Sequence, residues 1–177
     1  MRIIAGQHKG RVLKAPKWGG LRPTSDKLRE TLFNIIQHHV QGARVLDVFA
    51  GTGAIALEAL SRGAAGATCV EHDRRAAGLI AENAALCRES ERCVIIRDVV
   101  ERALVAPLPG GPFDIVVLDP PYDYAHLEAA VANAAQQRAA GGILVLEHAA
   151  RVTPPQPAGV ALTRTVSSGD SALTFYS

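Results

Sequence analysis

The tetrad Asp119-Pro120-Pro121-Tyr122 follows the apolar run Ile115-Val116-Val117-Leu118, and its residue types suit one task, the holding of an amino group. A carboxylate at Asp119 and a carbonyl at Pro120 are two acceptors, enough to grip both N–H bonds of a conjugated amine and localise its lone pair. The two prolines stiffen the turn that presents them. Tyr122 adds a flat face on which a base can stack, an interaction of roughly 1 to 3 kcal/mol. A proline pair can also be plain loop punctuation, so the reading depends on what else converges on the same place.

A second constellation is Val45-Leu46-Asp47-Val48-Phe49-Ala50-Gly51-Thr52-Gly53, an apolar run that enters a glycine turn and continues into the helix-favouring stretch from Ala54. Glycines at 51 and 53 let the main chain and its N–H groups approach a ligand closely. With Ala56 they also complete a G-x-G-x-x-A pattern, which alone is compatible with several nucleotide cofactors. Two further acids sharpen it. Glu71 ends the next apolar run, 20 residues after Gly51, where a carboxylate can accept from both hydroxyls of a ribose. Asp98 ends the third run, Val94 to Arg97, where it can accept from an adenine amino group. Asp47, Glu71 and Asp98 thus close three successive runs; the blander account makes them helix caps or solvated strand ends.

These residues require a frame that brings strand ends together. The chain alternates between β-branched runs at 45–48, 68–71, 94–97, 115–118 and 143–146 and Ala-rich helical stretches near 54–62, 74–88, 99–105 and 124–138. That alternation predicts an α/β fold with a doubly wound parallel sheet, whose ligands bind at the carboxyl ends of the strands. The tail breaks the pattern: 160–166 and 172–176 are strand-like and joined by Ser167-Ser168-Gly169-Asp170, an antiparallel hairpin on the sheet edge. Ahead of the sheet, Ile3-Ile4-Ala5 and Arg11-Val12-Leu13 flank a turn and predict a short hairpin. A helix then runs from a Thr24 or Ser25 cap to Gly42, with Lys27, Arg29 and Glu30 on its outer face. The 177 residues fit one domain, with 1–42 as a hairpin-and-helix extension and 43–177 as the core.

Apolar residues are 48% of the chain, too many for a disordered segment, and the apolar runs are far too short to span a membrane. Met1-Arg2-Ile3-Ile4 has no signal-peptide pattern, so a cytoplasmic protein is expected. Cys69, Cys87 and Cys93 form neither an even set nor a CxxC pair, which gives no support to disulfides or a metal site. Charge is uneven: Met1 to Arg44 carries nine Lys and Arg against two acids, a formal +7, and the rest ten against fifteen, −5. The basic arm, with Arg2, Lys9, Arg11, Lys14, Lys17, Arg22, Lys27 and Arg29, can track phosphates, and Trp18 can stack on a base. A solvated charged face is the alternative.

With these blocks in place the sequence resembles the class I S-adenosylmethionine-dependent methyltransferases, and within them the RsmD family. Three blocks carry the resemblance: Leu21-Arg22-Pro23-Thr24-Ser25-Asp26-Lys27-Leu28-Arg29-Glu30-Thr31-Leu32-Phe33-Asn34, Leu46 to Gly53, and Asp119 to Tyr122. Many amino methyltransferases share the last two; the first narrows the family. The Arg2 to Gly6 and Gly169 to Thr174 segments also match, although Ala5-Gly6 stands where family members often have two glycines. The resemblance implies a seven-stranded, mostly parallel Rossmann-like sheet and S-adenosyl-L-methionine as methyl donor. It implies transfer to the N2 amino group of a guanine in 16S ribosomal RNA; a small-subunit particle is the expected form of the substrate, naked RNA being the alternative, and a monomer is the default expectation for the chain. The implied cofactor residues are Asp47, the Phe49-Ala50-Gly51-Thr52-Gly53 loop, Glu71 with His72, Asp98 with Val99, and Asp119. Asp119, Pro120, Pro121 and Tyr122 would act on the amine, and Arg2, Lys9, Arg11, Arg22, Thr24 and Tyr122 would meet the RNA.

Other readings stay open at this level. Methylation of adenine in DNA, or of another RNA, uses the same amine chemistry. A nicotinamide-dependent oxidoreductase fits the glycine pattern but leaves the tetrad and the basic arm unexplained. An RNA-binding protein without turnover fits the arm but not the intact acids.

Overall fold

The alternating runs form one seven-stranded sheet in the computed structural model, which describes residues 1–16, 18 and 26–177. Before the sheet come α1 (Asp26–Ile35) and α2 (Gln37–Val40). The wound part is β1 (Arg44–Val48), α3 (Ala54–Ser61), β2 (Gly66–Val70), α4 (Arg74–Cys87), β3 (Cys93–Ile96), α5 (Val100–Ala103), β4 (Phe113–Leu118), α6 (Leu127–Gln136) and β5 (Arg138–Ala149). The chain closes with β6 (Leu162–Ser168) and β7 (Ser171–Tyr176). Strand order is β3-β2-β1-β4-β5-β7-β6; β1 to β5 are parallel, and β7 lies antiparallel between β5 and the edge strand β6.

The strands carry apolar side chains on both faces because both are covered. Val45, Cys69, Ile115, Val117 and Val145 pack with α1, α2, α3 and α4, while Leu46, Val48, Val70, Val116, Leu118, Leu144 and Leu146 pack with α5 and α6. The chain leaves β1 outward to β2 and β3, then returns to the other side of β1 for β4. The carboxyl ends of β1 and β4 therefore diverge into the crevice where ligands of such sheets bind.

Several elements depart from the pattern read above. Helix α6 ends early because the Gln137 side chain is pulled into the loop after α5, donating to the Leu104 and Ala106 carbonyls and accepting from Leu108 N. β5 then starts at Arg138, and a register shift between Phe113 and Ile115 absorbs the Gly141-Gly142 pair. The N-terminal hairpin holds a single bridge, Arg2 to Val12, rather than two strands. The expected helix breaks at Ile36, and its Thr24 or Ser25 cap lies outside the described residues.

Arg29 is not on an outer face. It is fully buried, donates to the Arg2 carbonyl and to Asp26 at 3.1 Å, and lies 3.8 Å from the buried carboxylate of Glu58. Burial with a counter-charge removes it from the phosphate-tracking set, because a guanidinium spent on internal partners reaches no phosphate. Glu58 in turn accepts from Ile4 N at 2.7 Å, Ala5 N at 3.0 Å and Arg62 at 2.7 Å, so this pair fastens the arm to α3. Gly6 completes the fit: a Cβ there would stand 1.9 Å from the Ser61 carbonyl oxygen.

Candidate active site

The loop after β1 is a tight turn from Phe49, at φ 64°, through Gly51 to Gly53, whose φ of 74° opens α3. A Cβ at Gly53 would be strained by that φ and would stand 3.0 Å from Ile80, so glycine is needed for both reasons. Glu71, 6% exposed, reaches back from the end of β2: Oε2 accepts from Gly51 N at 2.9 Å and Oε1 from Asp73 N at 2.8 Å. One lone pair of each oxygen is thereby used to orient the carboxylate, and the other remains for a ligand hydroxyl. His72, mostly exposed, has its Nδ1 3.3 Å from the same carboxylate.

Asp47 does not stand at the crevice surface. It is 1% exposed, and its Oδ2 accepts from Ala56 N at 3.1 Å, holding the first turn of α3 beneath the glycine loop. Its Oδ1 is buried without a partner. Burial pushes its pKa up to about 8, and the nearby charges of Asp119 and Glu71 push the same way. Asp98 follows the bland alternative more closely: its carboxylate accepts from Val99 N at 2.7 Å and engages Arg102 in a two-pronged pair, which holds it below the usual carboxylate range. Val99 beside it is exposed.

The Asp119-Pro120-Pro121-Tyr122 turn leaves β4 next to this loop, with Asp119 N donating to the Val48 carbonyl at 3.3 Å. The turn closes from Tyr124 N to the Pro121 carbonyl at 3.0 Å, one residue beyond the Pro120 carbonyl. Asp119 is half-buried, Pro120 buried, and Pro121 and Tyr122 exposed. The Tyr122 hydroxyl lies 2.6 Å from Ser171 Oγ at the start of β7. Tyr124 packs edge-on to Phe49 at 4.9 Å, and its hydroxyl donates to Glu101 at 2.5 Å. Sequence spacing missed Tyr124 and Glu101, which act across elements and belong to no local motif, and it placed Ser171 in a matching segment without revealing Tyr122 as its partner.

The arm lies along α4. Arg11 donates to the Leu86 carbonyl, Lys14 pairs with Glu82 at 2.7 Å, and the Arg75 guanidinium sits 4.9 Å over the Trp18 ring, occupying one face of the indole. Arg2, Lys9, Arg11, Lys14 and Lys27 are exposed. Lys17, Arg22 and Thr24 lie outside the described residues. Cys69, Cys87 and Cys93 are buried thiols in the core between the sheet and the helices α1 to α4. Among the described residues no helix is long and apolar enough to cross a membrane.

A doubly wound sheet, a glycine turn at its switch point, acids closing β1 and β2 and an Asp-Pro-Pro-Tyr turn closing β4 define a Rossmann-like methyltransferase. The family model described as "Conserved hypothetical protein 95" matches residues 1–177, and the chain belongs to that family, the RsmD family whose blocks it carries. YlbH of Bacillus subtilis is 35% identical over 180 residues, covering 99% of this chain and 98% of that protein. Ribosomal RNA small subunit methyltransferase D of Escherichia coli is 42% identical over 131 residues, 74% of this chain and 65% of that protein. Among solved structures, yhhF from Escherichia coli superposes with a TM-score of 0.87 at 33% identity, covering 99% of this chain and 96% of that one. An RNA methyltransferase from Salinibacter ruber in complex with S-adenosyl-L-homocysteine shares the fold at 15% identity and TM-score 0.68, over 87% of this chain and 92% of that one.

Proposed function

We propose that this chain methylates the N2 amino group of a guanine in 16S ribosomal RNA, acting as a monomer on a small-subunit particle with S-adenosyl-L-methionine as donor. The observation that carries the reading is the seating of Asp119 and Pro120 at the end of β4, hydrogen-bonded through Asp119 N to the β1 strand that opens the glycine loop. The name of the Escherichia coli relative, a small-subunit ribosomal RNA methyltransferase, supports the substrate class.

The residues fit a cationic nucleoside ligand. Glu71 and Asp119 close β2 and β4 near enough for their charges to add to the raising of the buried Asp47 carboxyl, and two such acids favour a positive group. Gly51, Thr52 and Gly53 would meet the methionine part, Glu71 with His72 the ribose, and Asp98 with Val99 the adenine. When bound, the donor supplies a methyl group on a sulfonium, which needs no covalent nucleophile from the protein. Asp119 and the Pro120 carbonyl accept the two N–H bonds of the amine, hold its lone pair out of the ring, and leave Asp119 placed to take the proton that the product sheds. Tyr122 fixes the plane of the base, and positioning of this kind supplies much of the acceleration. Arg2, Lys9 and Arg11, together with Arg22 and Thr24, would receive the RNA.

The test is methyl transfer from labelled S-adenosylmethionine to small subunits prepared from a strain lacking this enzyme, with mapping of the modified base. A single N2-methylguanine is expected. Cofactor binding without incorporation into subunits, alongside incorporation into duplex DNA or another RNA, would reject the substrate.

A further inference from the structure

Asn83 sits within α4 with no exposed surface, and its amide is used entirely on two stretches of backbone remote from each other in the chain. Nδ2 donates to the Thr52 carbonyl in the glycine loop at 3.1 Å and to the Lys14 carbonyl in the arm at 3.1 Å. Oδ1 accepts from Lys14 N at 2.8 Å. Asparagine is a poor helix former, and at this interior position it caps nothing, so the helix itself gives no reason for it.

The other contacts of the arm with α4 are of a different kind. The Lys14 to Glu82 pair and the Arg11 contact are exposed, and pairs of that sort hold weakly. The Asn83 side chain is buried, its bond to Thr52 wholly and its two bonds to Lys14 partly so, and an unmet polar group on that side chain is costly, which ties the places of Thr52 and Lys14 to one residue. We propose that Asn83 is a positioning residue that couples the two substrate sites, so that filling the glycine loop orders the RNA-facing arm and RNA on the arm orders the loop. This rests on the proposed reading of loop and arm as the donor and RNA sites. Such coupling is reciprocal, since each ligand pays part of the ordering that the other requires.

The experiment measures S-adenosylhomocysteine affinity by equilibrium filtration, with and without saturating unmodified small subunits, for the wild type, Asn83→Ala and Lys14→Pro. The wild type is expected to bind roughly tenfold more tightly with subunits present. Asn83→Ala is expected to bring that ratio to about one. In turnover, it should raise KM for both substrates more than it lowers kcat. Lys14→Pro removes the N–H that meets Oδ1 while leaving the Asn83 side chain in place, and should lower the ratio in the same direction, with a urea midpoint near that of the wild type showing that buried Leu13 beside it keeps its packing. A wild-type ratio in Asn83→Ala or Lys14→Pro, or a ratio of one in an active wild type, overturns the coupling and leaves the function standing. A wild type that binds S-adenosylhomocysteine but transfers no methyl to subunits rejects the function and this inference with it.

Discussion

The hydroxyl of Tyr122 is held 2.6 Å from Ser171 Oγ, which joins the Asp119 to Tyr122 turn after β4 to the last hairpin of the chain. The hairpin is itself pinned near that point, where Ala150 N donates to the Asp170 carbonyl at 2.8 Å. The final two strands therefore set the tilt of the ring proposed to stack on the base. Ser171→Ala removes one exposed hydrogen bond, a loss of about 1 kcal/mol, and is expected to lower kcat/KM roughly fivefold. Steady-state kinetics on small subunits would check it; an unchanged kcat/KM would mean that the ring needs no such anchor.

Asp119→Ala should separate the two halves of the site. Removing one preorganised acceptor from the reacting amine is expected to cost roughly 100- to 1000-fold in kcat. S-adenosylhomocysteine should still bind, because the Glu71 and Gly51 contact is untouched. Calorimetry beside a labelled-methyl assay measures both; loss of binding equal to loss of turnover would place Asp119 with the donor and not the amine.

The buried pair of Arg29 and Glu58 should act as one unit in stability. Removing either partner takes one counter-charge from a buried group that keeps another, Arg62 for Glu58 and Asp26 for Arg29, so each loss is expected to fall below the about 3 to 5 kcal/mol of a fully stranded buried charge. Glu58→Ala also strands the Ile4 and Ala5 N–H groups. Urea unfolding of Arg29→Ala, Glu58→Ala and the double variant is expected to give less than the sum in the double. Additive losses would show that the two residues act independently.

RNA affinity should report on the exposed arm. Lys9→Ala and Arg11→Ala are each expected to reduce the slope of log K against log salt by about 1. Arg164→Ala, on the opposite edge strand β6, should leave the slope as it is. Filter binding over a salt series measures this, and equal slopes for all variants would move the RNA track off the arm.

Asp47 gives a pH signature. Its carboxyl keeps its proton to about pH 8 in the folded chain, against an ordinary value of 3.8. Between these values folding takes up a proton, so stability falls as pH rises from about 4 to about 8 and is level outside that window. Asp47→Asn lacks this term and should gain on the wild type by a few kcal/mol at most, on the order set by such a shift. Denaturation at pH 5 and pH 8.5 compares the two, and parallel behaviour would mean that Asp47 is ionised throughout.

Local pattern carried much of this molecule. Alternating β-branched and Ala-rich stretches imply a parallel wound sheet, because both faces of each strand need apolar side chains and each crossover needs a helix. The glycine turn, Glu71 and the tetrad were legible for the same reason: each is a short run whose geometry depends on its own backbone. What spacing along the chain could not reveal is which remote groups meet. Arg29 reads as a surface cation by helical position, yet it is buried against Glu58 because two partly buried backbone N–H groups and two arginines share that carboxylate. Asp47 reads as a ligand at a strand end, yet its carboxylate turns under the loop to Ala56 N. Tyr124 and Asn83 have no motif, and Ser171 lies in a matching segment that does not reveal its partner; the contacts of all three arise only when β7, α5 and the arm are folded against the crevice. Hydrophobic periodicity and turn chemistry are local and therefore written in sequence; buried hydrogen bonds between distant segments are decided by the tertiary packing that brings their partners within 3 Å.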